Sequence, residues 1–123
     1  MDSFKIKGPS KISGAVEIGG SKNAALPIMV ATIARPGLYE ISNVPNLRDT
    51  RTMIKLIEII GAIVSVDNNN LKIDTRACNK PSAPYELVKT MRASFYVLGP
   101  LLSRFQKATV SLPGGCAWGP RPV

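Results

Sequence analysis

Apolar and polar positions alternate at the start of the chain: Phe4 and Ile6 are interleaved with Lys5 and Lys7, and Val16 and Ile18 flank Glu17 after Gly8-Pro9. A period of two predicts two short strands around a turn, the second closed by Gly19-Gly20. The small and apolar residues over 22–34 predict a helix with Ser21 at its N-cap, which Pro27 either kinks or delays until near that residue. Pro36-Gly37 marks a turn and residues 38–42 a strand. Residues 46–60 then place Met53, Leu56, Ile57 and Ile60 on one side of an amphipathic helix, with Gly61 as its stop.

Residues 63–66 and 71–73 flank the polar tip Asp67-Asn68-Asn69-Asn70, a local hairpin signal. A proline-containing loop follows. From Pro84 the apolar residues Leu87, Met91, Phe95, Leu98 and Leu102 recur at helical spacing, with Pro100 as a kink near the end, and residues 107–112 close as a strand. The order β, α, β, α, β-hairpin, α, β predicts the α/β class.

Composition narrows this picture. With 45% hydrophobic residues, a chain of 123 residues has material for one modest core and the size of a single domain. The formal net charge of +8 favours anionic partners: nucleic acid, an acidic membrane surface or phosphorylated small molecules. The basic residues are scattered, and one Trp, three Tyr and three Phe give little of the aromatic interleaving of a single-strand-binding surface. There is no histidine, and the two cysteines, Cys78 and Cys116, lack metal-ligand spacing, which argues against a zinc site. No apolar run suits a signal peptide or a membrane span, so the expected setting is cytoplasmic and reducing, with free thiols. A disulfide between the two cysteines stays open.

The densest candidate chemistry is the loop Pro113-Gly114-Gly115-Cys116-Ala117-Trp118-Gly119-Pro120-Arg121-Pro122-Val123, which follows a strand-like run. Its glycines let backbone N–H groups approach an anion, and Cys116 and Arg121 supply a thiol and a guanidinium. Val110-Ser111-Leu112-Pro113-Gly114-Gly115-Cys116 echoes Val16-Glu17-Ile18-Gly19-Gly20-Ser21, as though two βα units presented their strand ends to one cleft. Lys22 and Asn23 stand at the mouth of the first helix. They suit an anion there, or simply a solvated ammonium and a helix cap.

Three motifs, Ser21-Lys22-Asn23-Ala24-Ala25-Leu26-Pro27, Lys89-Thr90-Met91-Arg92-Ala93-Ser94 and the Cys116 loop through Val123, closely resemble those of the UDP-N-acetylglucosamine 1-carboxyvinyltransferases. These are enolpyruvyl transferases of early bacterial peptidoglycan synthesis. The resemblance implies transfer of the enolpyruvyl group of phosphoenolpyruvate to the 3′-hydroxyl of UDP-N-acetylglucosamine, by addition and then elimination of phosphate. It implies no metal and no organic cofactor, and neither nucleic acid nor a membrane as partner. The implied fold is an enolpyruvyl-transferase-type domain built from repeated βαβαββ units, an inside-out α/β barrel. Residues 1–20 would then be strands that join a second domain, and residues 21–123 part of a first, cysteine-loop domain, the remainder of such an enzyme being absent from this chain.

By the same resemblance Lys22 holds the phosphate or carboxylate of phosphoenolpyruvate and stabilises charge during addition, and Asn23 adds a hydrogen bond. Cys116 is the implied general acid toward the methylene carbon and the thiol alkylated by the covalent inhibitor fosfomycin. Arg92, Arg121, Pro122 and Val123 fall where the nucleotide-sugar is held, and forked guanidinium groups suit a diphosphate. For Arg92 a surface ion pair with Glu86 or Asp49 competes with that role. Cys78 fits a small buried apolar residue. The family's base for the sugar hydroxyl lies beyond the point matching Val123, so the chain alone is expected to turn over little. The alternatives are a catalytically dead UDP-sugar-binding remnant, a basic nucleic-acid-binding module, and the shikimate-pathway enolpyruvyl transferase, against which the cysteine loop argues.

Overall fold

The computed structural model describes residues 3–89 and 91–111. Helix α1 spans Lys22–Ala31, strand β1 Leu38–Ile41, helix α2 Arg48–Ile60, and strands β2 and β3 Ile63–Asp67 and Asn70–Asp74. A two-residue strand β4 (Ser82–Ala83), a short helix α3 (Tyr85–Val88), a 3-10 helix (Arg92–Val97), helix α4 (Leu98–Phe105) and strand β5 (Thr109–Val110) complete the described chain. The class is α/β, as the sequence predicts.

The main sheet has the order β1-β3-β2, with both outer strands antiparallel to β3 and therefore parallel to each other. Strand alternation sorts its side chains by face. Tyr39, Ile73 and Val64 form one register row toward the core, and Glu40, Lys72 and Ser65 form the next row on the outer face. In that outer row Lys72 pairs with Glu40 at 3.0 Å. On the core side α1 contributes Ala25, Leu26, Met29 and Val30, and α2 contributes Met53, Leu56, Ile57 and Ile60, a stripe at helical spacing in each case. Each such fully buried Leu, Ile or Met stabilises the fold by ~1.5–3 kcal/mol. Gly61 ends α2 in the left-handed region at φ 112°, a conformation that a side chain there would strain.

Arg104, near the end of α4, ties remote segments together. Its guanidinium donates to the Ile33 carbonyl at 3.2 Å and the Cys78 carbonyl at 3.1 Å, linking the turn after α1 to the loop after β3. That loop holds Cys78, a free cysteine that is 5% exposed as a residue. Burial pushes the thiol pKa up, with Arg104 pulling the other way, so it fits the role of a small apolar residue.

The structure corrects four expectations. Residues 3–20 form no strand among the described residues, and Phe4, Ile6, Ile12, Val16 and Ile18 are each at least 86% exposed. Alternation marks a segment able to pair, but a strand exists only once another strand accepts its hydrogen bonds. Helix α1 starts at Lys22 and continues past Pro27, so the proline does not delay it; Ser21 is its N-cap residue as expected, though without a side-chain cap bond.

The single helix expected after Pro84 is broken. Met91 is extended at φ −149° and ψ 115°, and a 3-10 segment intervenes before α4. The buried positions are accordingly Val88, Met91, Ser94, Val97 and Leu101, spaced by three through the 3-10 segment, while Leu102 is exposed. Because α4 begins only at Leu98, Pro100 falls in its first turn rather than near its end. Finally, β4 lies in the stretch expected to be a loop and pairs in parallel with β5.

Candidate functional site

The chain enters α1 through Gly20, which has no room for a side chain. A Cβ there would lie 1.7 Å from the backbone oxygen of Asn43 and 3.2 Å from Cδ of Pro45. Asn43 reaches this contact in the left-handed region at φ 57°. The loop that carries it is held from both sides: the Val44 N–H donates to the Asn69 carbonyl at 2.7 Å, and the buried Thr50 hydroxyl donates to the Pro45 carbonyl at 2.7 Å while accepting from the Leu47 N–H at 3.0 Å. Packing of Gly20 on this loop fixes where α1 begins.

Lys22 is the first residue of α1, and its ammonium lies 2.8 Å from the carboxylate of Asp49, in the first turn of α2. The starts of two helices thus meet at one ion pair. The first turn of α1 holds no acidic residue, and its leading N–H groups take no bond from the Ser21 side chain. An exposed helix mouth of this kind, with a lysine at its edge, favours a phosphate or carboxylate. Asn23 follows, exposed on the first turn, and Pro27 has no N–H to give to its carbonyl.

Arg92 opens the 3-10 helix, which packs against α1. Nearby, Glu86 of α3 pairs with Lys89. The hydrogen bond that the Lys89 ammonium donates to the Glu86 carboxylate raises the Lys89 pKa. Two residues beyond Arg92, Ser94 is fully buried and its Oγ has no hydrogen-bond partner among the described residues.

Lys22, Asn23 and Arg92 are therefore carried by two helices in contact. Cys116, Arg121, Pro122 and Val123 lie outside the described residues. Among the described residues no cluster of three or more metal-ligating side chains occurs, and no helix is long and apolar enough to cross a membrane. Sequence reasoning missed Asp49 as the partner of Lys22. The one available signal was an acid in the first turn of the second helix. It also missed the Gly20 contact, for which a Gly-Gly pair before a helix was the only hint.

Comparison with known proteins decides the family. The family model described as EPSP synthase (3-phosphoshikimate 1-carboxyvinyltransferase) matches residues 6–123. The chain belongs to the EPSP synthase family. Among curated relatives of this EPSP synthase family member, the UDP-N-acetylglucosamine 1-carboxyvinyltransferase of Geobacter metallireducens is 58% identical over 123 residues, covering 100% of this chain and 30% of its own length. The protein of the same name from Chlorobaculum parvum is 54% identical over 124 residues, at 100% and 29% coverage. The chain thus spans about 30% of the length of these relatives. A solved structure, the enolpyruvyl transferase NikO from Streptomyces tendae, aligns with a TM-score of 0.68 at 26% identity, over 79% of this chain and 23% of that one. The EPSP synthase family assignment agrees with the α/β class observed here.

Proposed function

We propose that the protein transfers the enolpyruvyl group of phosphoenolpyruvate to the 3′-hydroxyl of UDP-N-acetylglucosamine, releasing phosphate, in the synthesis of peptidoglycan precursors. The observation that carries this reading is identity of 52–58% across the whole chain to relatives bearing that activity in their names. The helix mouth at Lys22 supports it, because an ammonium beside first-turn N–H groups that no Ser21 side chain caps suits the phosphate or carboxylate of phosphoenolpyruvate.

In this reading Lys22 holds that anion and stabilises charge as the acceptor hydroxyl adds, and Asn23 orients it by a hydrogen bond. Cys116 delivers a proton to the methylene carbon and is the thiol that fosfomycin alkylates. Arg92 and Arg121, with Pro122 and Val123, bind the nucleotide-sugar. Residues 1–20 belong with a second domain and residues 21–123 with the cysteine-loop domain. The exposed apolar side chains at Phe4, Ile6, Val16 and Ile18 support that division. A cytoplasmic setting goes with phosphorylated, membrane-impermeant substrates.

The test is phosphate release by the protein at its full natural length, with phosphoenolpyruvate and either UDP-N-acetylglucosamine or shikimate 3-phosphate. Release that requires UDP-N-acetylglucosamine is the expected result. Release with shikimate 3-phosphate alone overturns the reading in favour of the activity that names the family model. The 123-residue chain by itself is expected to release little or none.

A further inference from the structure

We propose that the cleft between the start of α2 and the β2–β3 hairpin is a second ligand site, which takes a small aromatic or branched monocarboxylate and moves the Gly20–Lys22 start of α1 when filled. The cleft has a volume of about 270 Å³, room for one phenyl-sized body with a short chain. Its floor is Val44, Ile54, Val66 and Leu71. Val66 is an apolar strand side chain that the described residues leave 58% exposed. A floor of this kind excludes water only when an apolar group lies on it.

The rim sets the sign of the ligand. Arg51 is exposed, and its guanidinium donates from Nη1 to the Asn46 Oδ1 at 3.0 Å, a bond that holds the cation at the edge and leaves further N–H donors. No carboxylate lines the cleft among the described residues. An arginine beside an apolar floor, with no acid to neutralise it, suits one carboxylate attached to an apolar body. The volume limits that body to a single ring or branched chain.

Coupling to Lys22 follows from the wall the two regions share. Val44 and Pro45 line the cleft on one side. Their loop meets Gly20 on the other, with Pro45 Cδ 3.2 Å from a Cβ position at Gly20 and the Asn43 oxygen closer still. The Val44 bond to the hairpin tip and the Thr50 bond to Pro45 leave this wall little slack. A ligand that pushes on Pro45 pushes on the residue from which α1 starts. The coupling rests on Lys22 being the anion-holding residue, whereas binding in the cleft does not.

The test is a titration of the full-length protein with 3-phenylpropionate, followed by methyl NMR of Val44, Ile54, Val66 and Leu71 and by the backbone amides of Gly20 and Lys22. Saturable shifts of the four methyl-bearing residues are expected, with at least about tenfold weaker binding in Arg51→Gln and for the neutral probe 3-phenylpropanamide. Absence of saturable shifts there, or equal affinity for the neutral probe or for the variant, overturns the site. Shifts in the cleft while the Gly20 and Lys22 amides stay fixed overturn the coupling. None of these readouts depends on transferase activity.

Discussion

The Asp49 carboxylate lies 2.8 Å from the Lys22 ammonium, joining the first turn of α2 to the mouth of α1. With the two side chains 33% and 43% exposed, the pair stabilises the fold by no more than ~1 kcal/mol. Under the proposed function its value is positional: an otherwise flexible lysine is held where the anion would bind. Asp49→Asn should therefore leave the melting temperature nearly unchanged and lower kcat/KM for phosphoenolpyruvate by about tenfold. Lys22→Ala should cost about 10²-fold or more. Adding Asp49→Asn to Lys22→Ala should then change little further, because the carboxylate acts through the lysine. Steady-state kinetics of the three variants check this, and full additivity would refute it.

Replacing Gly20 with alanine should destabilise the protein by about 2 kcal/mol or more, because the new Cβ meets backbone atoms of Asn43 that cannot move aside as a side chain would. Gly19→Ala is the matched control. A Cβ there meets nothing within 4 Å, and its cost should stay below about 1 kcal/mol. Urea denaturation of the two variants compares them directly.

Ser94→Ala removes a buried hydroxyl that has no partner among the described residues. It should leave stability unchanged or raise it by about 1 kcal/mol. A loss of more than about 1 kcal/mol in thermal denaturation would show that the hydroxyl is satisfied in solution, by water or by a residue outside those described.

Asp74 accepts hydrogen bonds from the Arg76 side chain at 3.0 and 2.6 Å and from its backbone N–H at 3.0 Å, and these hold its pKa at about 2. The folded-state value lies below the ordinary carboxylate value of 3.8, so the stabilisation is fully present above that pH and is lost as pH falls toward about 2. Carboxyl NMR should place the Asp74 midpoint near 2 in the native protein, and in Arg76→Ala it should return toward the ordinary range.

Cys78 should resist thiol reagents in the native state, being buried with a raised pKa. Peptide mapping after fosfomycin treatment should find the adduct on Cys116 alone. An adduct on Cys78 would overturn the assignment of the reactive thiol.

Local signals were legible and relational ones were not. The β2–β3 hairpin and α2 followed from turn residues and an apolar stripe that lie within the segments themselves. Leu87, Met91, Phe95, Leu98 and Leu102 imitate a helix face. The core instead takes Val88, Met91, Ser94 and Val97, because packing of the 3-10 segment against α1 imposes a period of three that composition does not advertise. The pair β4 and β5 has two residues per strand, too few for any pattern. At the site, Lys22 and Asn23 stood out beside their glycines, but Asp49 is brought to Lys22 only by the packing of α1 on α2.

The sheet also carries a constraint on synthesis. Its central strand, β3, is the last of the three to leave the ribosome, and among the described residues β1 has no neighbour in the main sheet except β3. A nascent chain that has emerged as far as Asp67 carries β1, α2 and β2 yet has no sheet, since the two finished strands flank an empty lane. Emergence of five residues, Asn70–Asp74, then lets both edges pair at once. A ribosome pause just before that point would prolong exposure of two unpaired strands, and one just after it would not.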